Sequence, residues 1–130
     1  MTYYLDTSAF VKLFVAESES RAMRRWWNRH DGAMFSSDLL RTEALRTARR
    51  ISPAAVAAAR RFLDAVPLVR LDSTSYDRAG LVEPAVLRSL DALHLTAATL
   101  VGDELDGVVA YDDRLIDAAG LQGIPTVTPV

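Results

Sequence analysis

Five short apolar runs, each set apart from the next by enough chain for one or two helices, constrain this sequence more than any other feature. They are Tyr3–Leu5, Ala33–Phe35, Pro67–Leu71, Gly107–Tyr111 and Pro125–Thr128. Between them the apolar spacing turns helical. Phe10, Val11, Leu13 and Phe14 follow a start near Ser8, and a second helix spans roughly 19–30 and is closed by Asp31-Gly32. Others run from after Asp38 to Arg50, from Ser52-Pro53 to about Ala65, from Asp72–Ser75 to the break at Glu83-Pro84, over about 89–101, and from Asp113 to Ala119. Strands joined through helices need crossovers, so the pattern predicts an α/β fold. Its central sheet is mostly parallel, with helices on both faces in three α/β/α layers.

The rest of the composition narrows the class. At 130 residues, half hydrophobic and a quarter charged, the chain has the size of one domain, taken as 1–130, with no internal repeat or linker. It has no cysteine, which removes disulfides and thiolate sites. The longest uncharged apolar stretch, Ala92–Gly102, has eleven residues, against about 20 for a membrane span. The apolar start is broken at Asp6, unlike a signal peptide, so the expected location is cytoplasmic.

A net charge of −2 conceals two opposed regions. Residues 21–50 carry eight Arg against Asp31, Asp38 and Glu43, whereas residues 91–130 carry seven acids against Arg114 alone. Such a division suits acids that hold a metal beside arginines that hold a polyanion, or simply two solvated faces. Fourteen of the fifteen basic residues are Arg, the side chain suited to bidentate phosphate contacts.

In a parallel α/β sheet, ligands bind beyond the carboxyl ends of the strands, where the strand order reverses. Asp6 ends the first run and Asp112 follows the fourth, so both belong at that edge. Either could equally cap the helix that follows it. Asp91 shares a helix face with Leu87, His94, Leu95 and Ala98, where an unpaired charge is costly. Glu43 has Leu39 and Leu40 one turn before it, and could pair with Arg46 or Thr47 one turn after. Carboxylates gathered in one crevice repel each other, and a divalent cation removes that penalty. Oxygen ligands without Cys select Mg²⁺ or Mn²⁺, and the matching chemistry is phosphodiester hydrolysis by a metal-activated water. Thr7 and Ser8 could serve the outer shell or the phosphate, or cap the first helix. His94, one turn beyond Asp91, could be a catalytic base, but a lone His on an apolar helix face reads rather as a structural histidine bonded to the backbone or to an acid.

Other chemistries fail on inspection. There is no G-x-S-x-G elbow, phosphate loop or dinucleotide fingerprint, and the one lysine, Lys12, lies too early for a phosphoacceptor domain. Arg24, Arg25, Trp26, Trp27 and Arg29 form an aromatic-basic cluster of the sort that stacks on single-stranded nucleic acid, although a Trp in the core or at a protein contact explains it too.

Four segments together resemble PIN-domain nucleases, and among them VapC-type toxins of bacterial toxin–antitoxin pairs. They are Tyr4-Leu5-Asp6-Thr7-Ser8-Ala9, Ser37–Glu43, Leu90–Ala98 and Tyr111-Asp112-Asp113-Arg114-Leu115, in the family's order. The resemblance implies catalytic acids at Asp6, Glu43, Asp91 and Asp112, with Asp6, Asp91 and Asp112 as metal ligands. Asp113 and Asp117 are peripheral in that scheme. It further implies an Mg²⁺-dependent endoribonuclease, with Mn²⁺ as a substitute, that forms a homodimer and binds a cognate antitoxin. Phe10, Leu13 and Phe14, with Arg25, Trp26 and Trp27, are the candidate antitoxin or RNA contacts, although ordinary core packing explains the Phe and Leu positions too. Ala110 stands where the family often carries Ser or Thr. That departure keeps open a second reading, a degenerate PIN-like module that binds RNA or a protein without cutting.

Overall fold

A computed structural model describes all residues, 1–130. Its strands are β1 (Tyr3–Leu5), β2 (Met34–Ser37), β3 (Leu68–Val69), β4 (Gly107–Val109) and β5 (Thr126–Val127). They form one sheet in the order β3-β2-β1-β4-β5, and every pairing is parallel. Seven α-helices flank it: α1 (Thr7–Phe10), α2 (Ser20–Arg29), α3 (Leu39–Arg49), α4 (Pro53–Asp64), α5 (Ser73–Gly80), α6 (Ser89–Ala98) and α7 (Asp113–Leu121).

Alternation along the strands builds a core on each face. Tyr4, Phe35 and Val108 point to one side and pack with Leu95, Ala98, Leu115 and Ala119 of α6 and α7. Leu5, Met34 and Val109 point to the other and pack with Phe10, Met23, Leu40 and Leu63 of α1 to α4. Because both faces are covered, the strands read as continuous apolar runs instead of alternating ones. The three-layer α/β/α arrangement is the expected one.

Two details depart from expectation. The second strand runs on through Ser36 and Ser37, although both are polar and fully buried. Ser36 Oγ donates to the Leu5 carbonyl at 2.6 Å and Ser37 Oγ bonds the Tyr4 hydroxyl at 2.9 Å, which removes the penalty for burying them. The first helix is capped by Asp6, not Ser8, and tightens into a 3₁₀ turn over Val11–Leu13.

The chain builds β1, β2 and β3 outward on one side, then crosses to β4 and β5 on the other. The order therefore reverses between β1 and β4. Asp6 and Asp112 follow those two strands, at the reversal.

Candidate active site

Asp6 leaves the end of β1, where its backbone N–H donates to the Val109 carbonyl of β4. One carboxylate oxygen, Oδ2, accepts from Ser8 N (3.1 Å) and from Ser8 Oγ (2.6 Å). Its other oxygen, Oδ1, faces His94 Nε2 across 3.8 Å. Asp112 caps α7 in the same manner, with Oδ1 accepting from Arg114 N at 2.9 Å. The cap and the site are thus not alternatives. A cap occupies one oxygen of each aspartate and leaves the second unbonded by protein.

Glu43 follows the same rule on α3. Thr7 Oγ1 donates to its Oε1 at 2.8 Å, and His94 Nε2 lies 2.6 Å from that same oxygen. Its partners are therefore Thr7 and His94, not Arg46 or Thr47 one turn on. A pairing across 51 positions leaves no mark in the local spacing. Burial opposes ionisation of Glu43, but the His94 hydrogen bond and charge, with the Thr7 bond, outweigh it and hold the carboxyl below its ordinary range.

Asp91, in the first turn of α6, is half-buried and makes no hydrogen bond or ion pair within the protein. Burial raises its pKa, and the charges of Asp112 and Asp6 raise it further against the smaller pull of His94 and Arg88. Asp6 and Asp112 thus both lie in electrostatic range of Asp91, and His94 links Glu43 to the neighbourhood of Asp6. Asp113 and Asp117 are exposed on α7 and are not among the charges acting on Asp91.

His94 is 2% exposed. Burial alone would lower its pKa, but Glu43, Asp6 and Asp91 raise it above the ordinary value. The imidazole is bonded to an acid, a role the sequence allowed but did not assign. Ser8 does more than expected, since its Oγ also accepts from Tyr111 N at 2.9 Å and ties the end of β4 to the end of β1. Ala110, where a hydroxyl was missing, is fully buried in the α6–α7 core.

Asp6, Asp91 and Asp112 offer hard oxygen donors, and Asp112 and Asp6 both oppose the charge of Asp91, a chemistry compatible with a divalent cation. No three acid or imidazole groups close together tightly enough to enclose an ion unaided. Mg²⁺ does not require that, because it retains several waters and takes one or two carboxylates directly.

The expected contact residues divide. Phe10 is fully buried and Leu13 nearly so; both belong to the α1–α4 core and offer no surface to a partner. That corrects the expectation for Phe10, which helical periodicity alone could not separate from a surface stripe. Phe14 is half-buried against Phe10, with ring centroids 5.8 Å apart. Trp26 stacks on His30 at 4.1 Å and meets Tyr3 edge-on, while Trp27 meets Phe62 edge-on. Both indoles are half-buried, and Arg25 is exposed.

With this geometry, comparison with known proteins is direct. The PIN domain family model matches residues 3–121. Ribonuclease VapC46 of Mycobacterium tuberculosis is 42% identical over 127 residues, covering 97% of this chain and 96% of the relative. Ribonuclease VapC47 of the same species is 36% identical over 130 residues with the same coverage. The chain belongs to the PIN-domain family, in its VapC branch. Among solved structures, the M. tuberculosis toxin VapC20, described as cleaving the sarcin–ricin loop, superposes with a TM-score of 0.78 at 18% identity, over 98% of this chain and 100% of that one. The DNA-bound VapBC complex of Salmonella typhimurium gives a TM-score of 0.75 at 18% identity, over 98% and 97%. These two speak to the fold. No helix is long and apolar enough to cross a membrane.

Proposed function

We propose that this protein is an Mg²⁺-dependent endoribonuclease, the toxin of a toxin–antitoxin pair, with Asp6, Glu43, Asp91 and Asp112 as its catalytic acids. The observation that carries the reading is Asp91: a half-buried acid without a protein partner, its ionisation opposed by burial and by Asp112 and Asp6. Charge is rarely stored in this way without a ligand to neutralise it. Relatives at 42% and 36% identity over nearly the whole chain bear the name ribonuclease, which supports RNA as the substrate.

Asp6, Asp91 and Asp112 would hold the ion through the oxygens that their caps leave free. Bound there, Mg²⁺ supplies polarisation of the phosphoryl oxygen and acidification of water. The chain supplies the rest. Glu43 keeps Oε2 unbonded and, held as a carboxylate by His94 and Thr7, accepts the proton of the attacking water. Ser8 and Thr7 keep Asp6 and Glu43 from turning away. Exposed arginines of α2 and α3, including Arg24, Arg25, Arg41 and Arg46, suit the RNA backbone.

A cognate antitoxin as partner is supported by the VapBC likeness, and homodimerisation and a cytoplasmic setting complete the proposal. Exposed Arg25 and the half-buried Phe14, Trp26 and Trp27 remain the contacts proposed for antitoxin or RNA. The test is cleavage of RNA by purified protein with Mg²⁺ or Mn²⁺, arrested by EDTA. An identical set of reactions on single-stranded DNA separates a ribonuclease from a deoxyribonuclease.

A further inference from the structure

The proposed reaction uses His94 only to keep Glu43 ionised and gives Tyr4 no part. Both are at most 2% exposed, and they lie in the core directly behind the acids. Tyr4 Oη is 2.7 Å from His94 Nδ1 and 2.9 Å from Ser37 Oγ. On the far side of the ring, His94 Nε2 is 2.6 Å from Glu43 Oε1. A continuous line of hydrogen bonds therefore runs from β2 through β1 and α6 to α3.

We propose that His94, braced by Tyr4, is a positioning residue that aims the free oxygen of Glu43 into the crevice. This rests on the nuclease reading. A glutamate on a helix has several rotatable bonds, and fixing it costs rotamer freedom. His94 and Thr7 meet that cost by converging on one oxygen, Oε1, so that Oε2 alone is presented. A carboxylate only accepts, so Nε2 of His94 carries the proton in this bond. Nδ1 then faces the Tyr4 hydroxyl, which can donate to a neutral ring or accept from a charged one. The bracing survives either state. The Tyr4 ring cannot move aside, because it is fully buried and meets Phe35 edge-on at 5.2 Å and His94 at 5.8 Å.

The test compares wild type with His94→Leu, His94→Gln and Tyr4→Phe, using a fluorophore–quencher single-stranded RNA of mixed sequence with Mg²⁺. His94→Leu is expected to lose about 10–100-fold in kcat with KM unchanged, the usual scale for a group supporting a site acid. His94→Gln, whose amide can reach Glu43, should recover part of that loss. Tyr4→Phe, which removes one oxygen that touches no acid, should lower kcat as well. In metal-free protein labelled with ¹⁵N-histidine, the His94 ring should show a slowly exchanging proton on Nε2 that shifts in Glu43→Gln. Folded variants with wild-type kcat, or a change confined to KM, overturn the positioning role. So does a ring proton found on Nδ1 alone, a readout that holds even where a variant fails to fold. A wild-type protein that cuts no RNA removes the nuclease reading and this role with it, while the ring signals still report whether the brace exists.

Discussion

Ser8 and Tyr111, 103 positions apart in the chain, are joined by a 2.9 Å hydrogen bond from the Tyr111 backbone to the Ser8 hydroxyl. The same hydroxyl donates to Asp6. One small side chain thereby sets the acid after β1 against the segment that leads from β4 into Asp112. Ser8→Ala would leave the Tyr111 N–H without its partner and Asp6 with only the backbone N–H of residue 8 as donor. The expected cost is about 1–3 kcal/mol of stability, measured by urea unfolding, together with weaker cleavage. Ser8→Thr, which keeps the hydroxyl, should retain most of both.

Asp91→Asn should separate function from stability. Removing the charge relieves burial and the repulsion from Asp112 and Asp6. Metal-free Asp91→Asn should be at least as stable as wild type, while RNA cleavage falls at least about 100-fold. A calorimetric scan and a cleavage assay on one preparation check both halves.

The Glu43–His94 pair gives metal-free protein a defined pH dependence. Glu43 is lowered from 4.5, so its contribution is present above that value and is lost as pH falls through the depressed folded-state pKa. His94 is raised from 6.5, so its contribution is complete below that value and disappears as pH rises through the elevated one. The pair therefore stabilises most between 4.5 and 6.5. In Glu43→Gln the loss on the alkaline side should shrink, because His94 no longer has its main anion. Melting temperature against pH for the two proteins shows the difference.

Phe10 and Trp27 should behave differently when truncated. Phe10→Ala empties a fully buried position between Phe14 and Phe62 and should cost about 3–5 kcal/mol. Trp27→Ala removes a half-buried ring resting on Phe62 and should cost less. Any effect of Trp27→Ala on binding of a partner, measured by calorimetry on folded protein, would then reflect its surface.

Much of this was legible in the residues. Tyr3–Leu5 and Gly107–Val109 are apolar runs followed by acids, a pattern that by itself places Asp6 and Asp112 at one edge of the sheet. Asp91 betrayed itself as a charge on an apolar helix face. What stayed hidden was pairing over distance. Nothing near Glu43 points to His94, and nothing near Ser8 points to Tyr111, because crossover connections bring together segments 51 and 103 positions apart. Ser36 and Ser37 looked like the end of a strand because their partners, Leu5 and Tyr4, lie on the neighbouring one. Phe10 was ambiguous for a different reason. A four-residue helix is too short for its periodicity to tell core from surface.

The most direct measurement is RNA cleavage by wild type, Asp6→Asn and Asp91→Asn, each with Mg²⁺ and with EDTA, alongside their melting temperatures. The account predicts cutting by wild type with Mg²⁺ only, none by either variant, and no loss of melting temperature in the variants. Normal cutting by folded Asp6→Asn, or undiminished cutting in EDTA, would contradict it.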